Sequence, residues 1–196
     1  MSANGNAPAG TADYMYSGVI ENRESEAVQA AEDSARQGGI ANPIVRDILP
    51  DVDLNSTGDT TFTGSETAFV QTPSSADPGE VTAYEIDSDT GKMDDRVMAI
   101  YGFEAVSGAG LVDAIRFRGS DGQVFERAHI QGLDETGDQP IDRQMVLRSP
   151  VLFEAQDNGE IEFEIPSYDT TNDPEVEIKL LGVTAEKLGR TLGTRQ

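Results

Sequence analysis

Only a few residues have the types and spacing of side chains that could do chemistry. An acidic stretch at residues 87–95 places several carboxylates within one short turn. Carboxylate oxygens are the ligands that calcium and magnesium prefer, so Asp87, Asp89 and Asp94 are candidate metal ligands. The stretch departs from an EF-hand loop, because a glycine and a lysine hold its fifth and sixth positions. The alternative interpretation is an acidic turn that binds nothing, and no organic cofactor is predicted.

Other chemistry-bearing groups are sparse. The acidic runs Asp51-Val52-Asp53 and Asp169 to Asp173 are weaker candidates for the same metals. Cysteine is absent and His129 is the single histidine, so one chain cannot build a thiolate site, a histidine metal cage or a catalytic triad. Paired carboxylates could hydrolyse glycosides, but among 36 acids no pair stands out. The sequence therefore predicts no catalytic residues and no enzyme.

Two short segments have both a functional and an ordinary interpretation. Asn55-Ser56-Thr57 is an N-glycosylation sequon, which matters only in an exported protein. Residues 187–196 carry Lys187, Arg190 and Arg195 with no acid among them. This basic segment is either an exposed tail or a contact to an acidic neighbour, such as another copy of the chain or anionic lipid.

Charge dominates the composition. Fourteen basic residues oppose 36 acidic ones, which gives a net charge of −22 and a pI near 4.1. Such a surface repels nucleic acid and anionic membranes, so nucleic acid is not a predicted partner.

High charge at low hydrophobicity also marks disorder. Here, however, acids alternate with apolar residues over the last two thirds, and only three of the basic residues are lysines. Both features favour adaptation to molar salt, which screens repulsion between carboxylates.

These residues must be positioned by a chain in two parts. Residues 1–56 are predicted to form an N-terminal arm with short helical segments, and the sequence shows no signal peptide or transmembrane run. A helix is expected over residues 22–39, with Asn22 as its N-cap, alanines on its apolar face and two glycines at its end. A second helical turn is expected over residues 43–49.

From residue 57 to residue 196 the apolar period is two. Strands are predicted at the segments 60–63, 67–71, 80–86, 96–103, 112–117, 123–130, 145–147, 151–155, 160–165 and 175–183, followed by a short helix or tail over 184–192. In residues 160–165 every second residue is Glu, so the isoleucines and the phenylalanine should face inward and the glutamates should face solvent. The predicted class is all-β, an antiparallel β-sandwich or jelly roll, and periodicity leaves its topology open.

The chain resembles a known family in its acidity, its size, its lack of Cys and Trp, and its predicted strands at 151–165 and 175–183. Over roughly residues 57–196 the chain resembles the single vertical jelly-roll capsid proteins of icosahedral, sphaerolipovirus-type viruses of halophilic archaea. The resemblance implies two related capsid subunits that pair and tile pseudo-hexameric capsomers above an internal membrane.

The predicted function is therefore that of a structural virion protein, a viral coat subunit that forms homo- and hetero-oligomers in high salt and takes no small-molecule substrate. Its expected location is the capsid. The alternative is a β-sandwich binding module at the surface of a halophilic cell or secreted from it. That module would be a monomer in high salt and could carry a sugar at Asn55.

Overall fold

The computed structural model describes residues 11–49, 53–56, 60–62, 68–71, 79–86, 93–130, 133, 143–167, 169, 173 and 176–188. They form one α-helix, one 3-10 turn and eleven strands, all paired antiparallel, so the predicted all-β sandwich with an N-terminal helix is confirmed. The elements are α1 (Thr11–Gln37), β1 (Ile44–Asp47), β2 (Asn55–Ser56), β3 (Thr60–Phe62), β4 (Ala68–Gln71), β5 (Gly79–Ile86), β6 (Arg96–Ser107), the 3-10 turn (Ala109–Leu111), β7 (Ala114–Gly119), β8 (Val124–His129), β9 (Gln144–Phe153), β10 (Gly159–Ile165) and β11 (Val176–Glu186).

Strands β4 to β11 follow the order of a jelly roll. Sheet A has the order β3-β4-β11-β6-β9, and β1 also pairs with β11. Sheet B has the order β2-β5-β10-β7-β8. Counted from β4, sheet A thus holds the first, eighth, third and sixth strands, and sheet B the second, seventh, fourth and fifth. This is the arrangement of two Greek keys folded face to face.

The hydrophobic core lies between the two sheets. Phe103 on β6 packs against Phe117 on β7, with ring centroids 6.0 Å apart, and Phe153 on β9 lies 6.3 Å from Phe117. All three side chains are fully buried. Strand β10 presents Ile161, Phe163 and Ile165 to this core, as its alternating sequence predicts. The glutamates of β10 therefore lie on the outer face of sheet B.

Helix α1 covers the outer face of sheet A. Ala27, Ala31 and Ala35 recur every fourth residue and are fully buried against apolar side chains such as Val97 and Val183. Small side chains let the helix approach the sheet closely. The helix begins at Thr11 instead of Asn22, because Ile20 also packs on this cluster and the contact extends the helix past the predicted cap.

The end of α1 agrees with the predicted glycine stop. The amide of Gly38 donates to the carbonyl of Ser34, and Gly39 has a φ of 89°, in the left-handed region. The predicted helical turn over 43–49 is wrong for residues 44–47, which form β1. Pairing of Ile44 with Glu186 and of Asp47 with Val183 gives this segment a sheet ladder, and its β-branched residues suit a strand.

Two further boundaries differ from the sequence-based expectation. Strand β9 continues through Pro150, which is tolerated because β9 lies at an edge of sheet A. The register against β6 jumps from Val151 to Val146 around this proline. Residues 184–186 belong to β11 and not to a helix, because they pair with both β1 and β6.

Residues before the predicted boundary at 56 also contribute to the sandwich core. Ile48 and Leu54 are buried in the same cluster as Phe103. Among the described residues, no helix combines the length and the apolar composition needed to span a lipid bilayer.

Candidate functional site

The outer face of sheet B carries a set of paired arginines and glutamates, which we call the Arg–Glu lattice: Arg116, Arg118, Arg127, Glu160, Glu162 and Glu164. Cross-strand register brings these side chains together. Glu162 on β10 lies opposite Arg116 on β7, which in turn lies opposite Arg127 on β8. Glu160 lies opposite Arg118.

Glu162 is the centre of the lattice. Its carboxylate accepts hydrogen bonds from Nε of Arg116 at 3.0 Å and from Nε and Nη2 of Arg118 at 3.0 and 2.9 Å. The two guanidinium groups cover the carboxylate, so Glu162 is only 6% exposed. The sequence-based expectation of a solvated outer face is therefore wrong for this residue. Its side chain points outward, but the arginines bury it.

A second pair extends the lattice to the edge strand. Nε of Arg127 donates to Oε1 of Glu164 at 2.8 Å, and Nη1 of Arg116 lies 3.4 Å from the same oxygen. His129 is exposed on β8 and its Nε2 faces Nη1 of Arg127. His129 thus lies on the polar face of its strand beside a cation, which is a poor setting for metal binding.

These contacts fix the charges of the lattice. Burial acts to raise the pKa of Glu162, but the hydrogen bonds from Arg118 and Arg116 outweigh burial and lower that pKa below its usual value. The hydrogen bond from Arg127 likewise lowers the pKa of Glu164. A general acid needs a carboxyl pKa raised toward neutrality. Glu162 and Glu164 are shifted in the opposite direction, so they are fixed anions that hold strands together.

A second ionic cluster closes one end of the sandwich. Arg46 on β1 donates two parallel hydrogen bonds to Asp53, at 2.8 and 2.7 Å, and its Nε donates to Glu186 at 2.9 Å. Arg96 on β6 donates to Glu186 at 2.7 Å and also contacts Asp53. Thr184 donates to Asp53 at 3.3 Å.

Each carboxylate of this end cluster is shared by two arginines, so the charges balance. Asp53 and Glu186 are fully buried, as is nearly all of Arg96. Burial acts to lower the pKa of Arg46, but hydrogen bonds from it to Asp53 and Glu186 raise the pKa overall. Loss of one partner from a buried ion pair of this geometry strongly destabilises the folded protein, because the other charge stays buried without compensation. The cluster ties the connection after β1 to the central strands of sheet A.

Of the three candidate metal ligands, one lies in the part of the chain that the structure describes. Asp87 and Asp89 lie outside the described residues, and Asp94 is exposed at a turn before β6. Asp53, from a weaker candidate run, is an arginine partner. Asp173, from another, accepts a hydrogen bond from the amide of Asp169 at 2.7 Å. In the described ranges, no group of three or more Asp, Glu or His side chains is arranged to hold a metal ion.

The structure describes only part of the glycosylation sequon at Asn55 and only part of the basic segment 187–196. The backbone of Asn55 lies in β2, beside β5. Lys187 is exposed, with Nζ 3.9 Å from Asp95, while Arg190 and Arg195 lie outside the described residues.

Strand β8 forms one edge of sheet B. Among the described strands it pairs with β7 alone. Val124 and Phe125 are 39% and 51% exposed there. The ring of Phe125 meets Phe153 edge-on, with centroids 5.7 Å apart, so it is anchored on the core while part of it faces solvent. Exposed apolar residues on an open strand edge can pair with another chain.

Sequence reasoning missed both ionic clusters. The only signal was spacing: Arg116 and Arg118 stand two residues apart, as do the glutamates of β10. Arginines that alternate along one strand can pair with glutamates that alternate along another only if the two strands are neighbours in the matching register. The strand order and the register decide this, and the local sequence does not contain them. A scan against protein-family models and a search of curated proteins find no match to this chain.

Proposed function

We propose that this chain is a structural subunit of a virion, a jelly-roll capsid protein that assembles with copies of itself and related subunits into the capsomers of an icosahedral shell in high salt. The observation that carries the proposal is the strand order of β4 to β11. Jelly rolls recur as the wall-forming domains of viral capsids. In this proposal the partners are capsid subunits and a nearby internal membrane, with no nucleic acid and no small-molecule substrate.

Because one fold serves several functions, the chemistry of the surface must also support the proposal. The Arg–Glu lattice places three arginines on one face of a chain that has a charge of −22. On that face the carboxylates of Glu162 and Glu164 are held by arginine side chains. Subunits of a highly acidic protein can approach one another most easily through such a face, because little repulsion opposes the contact.

The open edge of β8 adjoins this face. We infer that another subunit contacts the chain along β8, where Val124 and Phe125 offer apolar surface and where an edge that no described strand occupies can extend the sheet. The contact would bury the apolar residues, while Arg127 and Glu164 lie beside it.

The test uses two matched lysine substitutions. Val124 on β8 and Val106 on β6 are 39% and 41% exposed, so a lysine at either position is equally well solvated. Val124→Lys places a charge on an edge strand, which blocks strand pairing, whereas Val106 lies on β6, an interior strand of sheet A, two residues past its last pair with β9. In molar KCl, sedimentation velocity and negative-stain microscopy should show capsomers or shells for the unchanged protein and for Val106→Lys, and dissociated subunits for Val124→Lys.

Circular dichroism in the same buffer must show that both variants are folded. A protein that stays monomeric at all concentrations in molar salt would overturn the capsid proposal and favour the secreted or cell-surface binding module. Assembly that Val124→Lys leaves intact would keep the capsid proposal but remove β8 as the contact.

A further inference from the structure

Strands β8 and β9 form one side of the sandwich, which we call the β8–β9 side. They are the end strands of sheets B and A, and the ring of Phe125 on β8 meets that of Phe153 on β9. Three arginines lie along this side: Arg127 on β8, Arg143 directly before β9, and Arg148 within β9. Such a group of cations is unusual in a chain with a net charge of −22.

Arg143 and Arg148 are the basic side chains without an ion pair, among those that the structure describes. Every other described arginine and lysine contacts an acidic side chain. Nε of Arg143 is buried and donates no hydrogen bond. A buried donor of a charged group is costly when no acceptor meets it, so the setting of Arg143 favours an acceptor from another molecule.

The shape of β9 determines how Arg148 is presented. Ile100 pairs with Val151 and Gly102 pairs with Val146, so four residues of β9 lie opposite Tyr101 alone. Arg148 lies in this bulge and is exposed. A bulge on an edge strand disfavours pairing with a further strand. Strand β9 therefore offers charge to a partner, and β8 remains the edge at which a strand can be added.

The charges favour a second copy of this chain as the partner. Guanidinium groups bind carboxylates through paired hydrogen bonds, and another copy brings a surface on which acids outnumber bases. A two-fold contact would place the β8–β9 side against itself. The arginines of both copies would then meet, with Glu126 as the exposed acid of β8 to offset them. That contact keeps an excess of positive charge.

We propose that the β8–β9 side receives an acidic surface of a second copy, whose carboxylates bind Arg143 and Arg148. The two copies then meet through different surfaces, so the contact is head-to-tail and can repeat around a closed ring. This inference rests on the proposed function, because it gives the chemistry of the partner at the contact along β8. Ion pairs that are partly buried at a contact are screened less than exposed charges, so they can act in molar salt.

Charge reversal at Arg148 tests the pairing. Arg148→Glu and Arg36→Glu change the net charge equally at exposed positions, but Arg36 lies on α1. In sedimentation velocity in molar KCl, Arg148→Glu should raise the protein concentration for half-assembly by about tenfold or more. Arg36→Glu should leave it within about twofold. Arg143→Gln should weaken assembly in the same direction as Arg148→Glu, and circular dichroism verifies that all three variants are folded.

A carbodiimide cross-link identifies the partner surface. Carbodiimide condenses an amine with a carboxylate that touches it, so the charge-conserving variant Arg148→Lys supplies an amine at the contact. Assemblies are mixed from isotope-labelled and unlabelled copies of this variant. Mass spectrometry should find links from position 148 of one copy to acids outside the β8–β9 side of another. Links confined to acids of the β8–β9 side would overturn the head-to-tail contact.

The outcomes separate this inference from the capsid proposal. Assembly that both Arg148→Glu and Arg143→Gln leave unchanged would overturn the inference and keep the capsid proposal. If these variants assemble normally but no longer float with vesicles that contain phosphatidylglycerol, the arginines bind anionic lipid and the inference is again overturned. An unchanged protein that stays monomeric in molar salt would overturn both proposals.

Discussion

Glu162 shows how one side chain can face outward and still be buried. Its neighbours Ile161 and Phe163 point into the core, and Glu162 points away from it, but two arginines cover its carboxylate. From the sequence alone, a change of Glu162 to Gln is expected to cost little. The structure leads to the opposite expectation, because a neutral amide cannot balance the buried guanidinium group of Arg116 and the half-buried one of Arg118.

We predict that Glu162→Gln lowers the free energy of unfolding by about 1–3 kcal/mol, the usual effect of leaving buried charged hydrogen-bonding groups unsatisfied. Glu160→Gln is the matched control, since Glu160 is on the same strand with its side chain 39% exposed and 3.8 Å from Arg118. That change should stay within about 0.5 kcal/mol. Urea unfolding in molar salt measures both. Equal effects of the two changes would contradict the central role of Glu162.

The same glutamates make stability depend on pH. In the folded protein the pKa of Glu162 and of Glu164 lies below the usual value of 4.5. As the pH falls below that value, the unfolded chain takes up protons at these positions before the folded chain does. The stabilisation is therefore complete above pH 4.5 and is lost as the pH falls through the lower folded pKa.

Urea unfolding at several pH values between about 6 and 3.5 should show this loss. The double variant Glu162→Gln, Glu164→Gln should have a shallower decline over the same interval, because it lacks the two shifted groups. An identical slope in the double variant would show that other carboxylates cause the acid sensitivity.

The secondary-structure elements differ in how far their sequences determine them. Strand β10 could be predicted because its alternation of glutamate and apolar residues is a property of six adjacent residues. Strand β1 could not, because Ile44 and Val45 fit one side of a helix as well as a strand, and only the ladder with β11 decides between them. The length of α1 likewise depends on contacts with sheet A that its sequence does not contain.

The difference between what the local sequence determines and what contacts with distant strands determine is largest for the first 56 residues. From composition they are expected to be dispensable for folding. The structure, however, places Ile48 and Leu54 in the core and Asp53 in the end cluster. We predict that a chain starting at residue 57 does not fold cooperatively, because Arg96 loses Asp53, Glu186 loses Arg46 and the core loses two large side chains.

A chain starting at residue 41 is the control for this deletion. It lacks α1 but keeps β1, Asp53 and Leu54, so it should retain a cooperative urea transition at a lower midpoint and should aggregate more readily through the uncovered face of sheet A. Far-UV circular dichroism in molar salt compares the two chains. A cooperative transition for the chain starting at 57 would restore the boundary expected from the sequence.

The whole molecule combines a well-packed sandwich with a charge of −22. Five of its eleven arginines pair with five carboxylates in the lattice and the end cluster, which leaves nine basic residues to offset the other 31 acidic ones. At about 0.01 M salt the Debye length reaches about 30 Å, and carboxylates then repel one another across the domain. We predict that dialysis from molar KCl to that concentration abolishes the β-sheet circular dichroism signal.

Returning the sample to molar KCl, or to molar tetramethylammonium chloride, should recover most of the signal, since both screen charge. A spectrum that stays unchanged in dilute buffer would contradict adaptation to high salt.

Strand β11 also determines when this protein can fold as it is synthesised. It pairs with β1, β4 and β6, and it follows all of them in the chain. Until residues 176–186 leave the ribosome, sheet A lacks its central strand, so the pair β3-β4 and the pair β6-β9 cannot be joined. Contacts so distant in sequence form slowly. The sandwich therefore cannot complete its fold, or present a finished surface to another subunit, before β11 has been made.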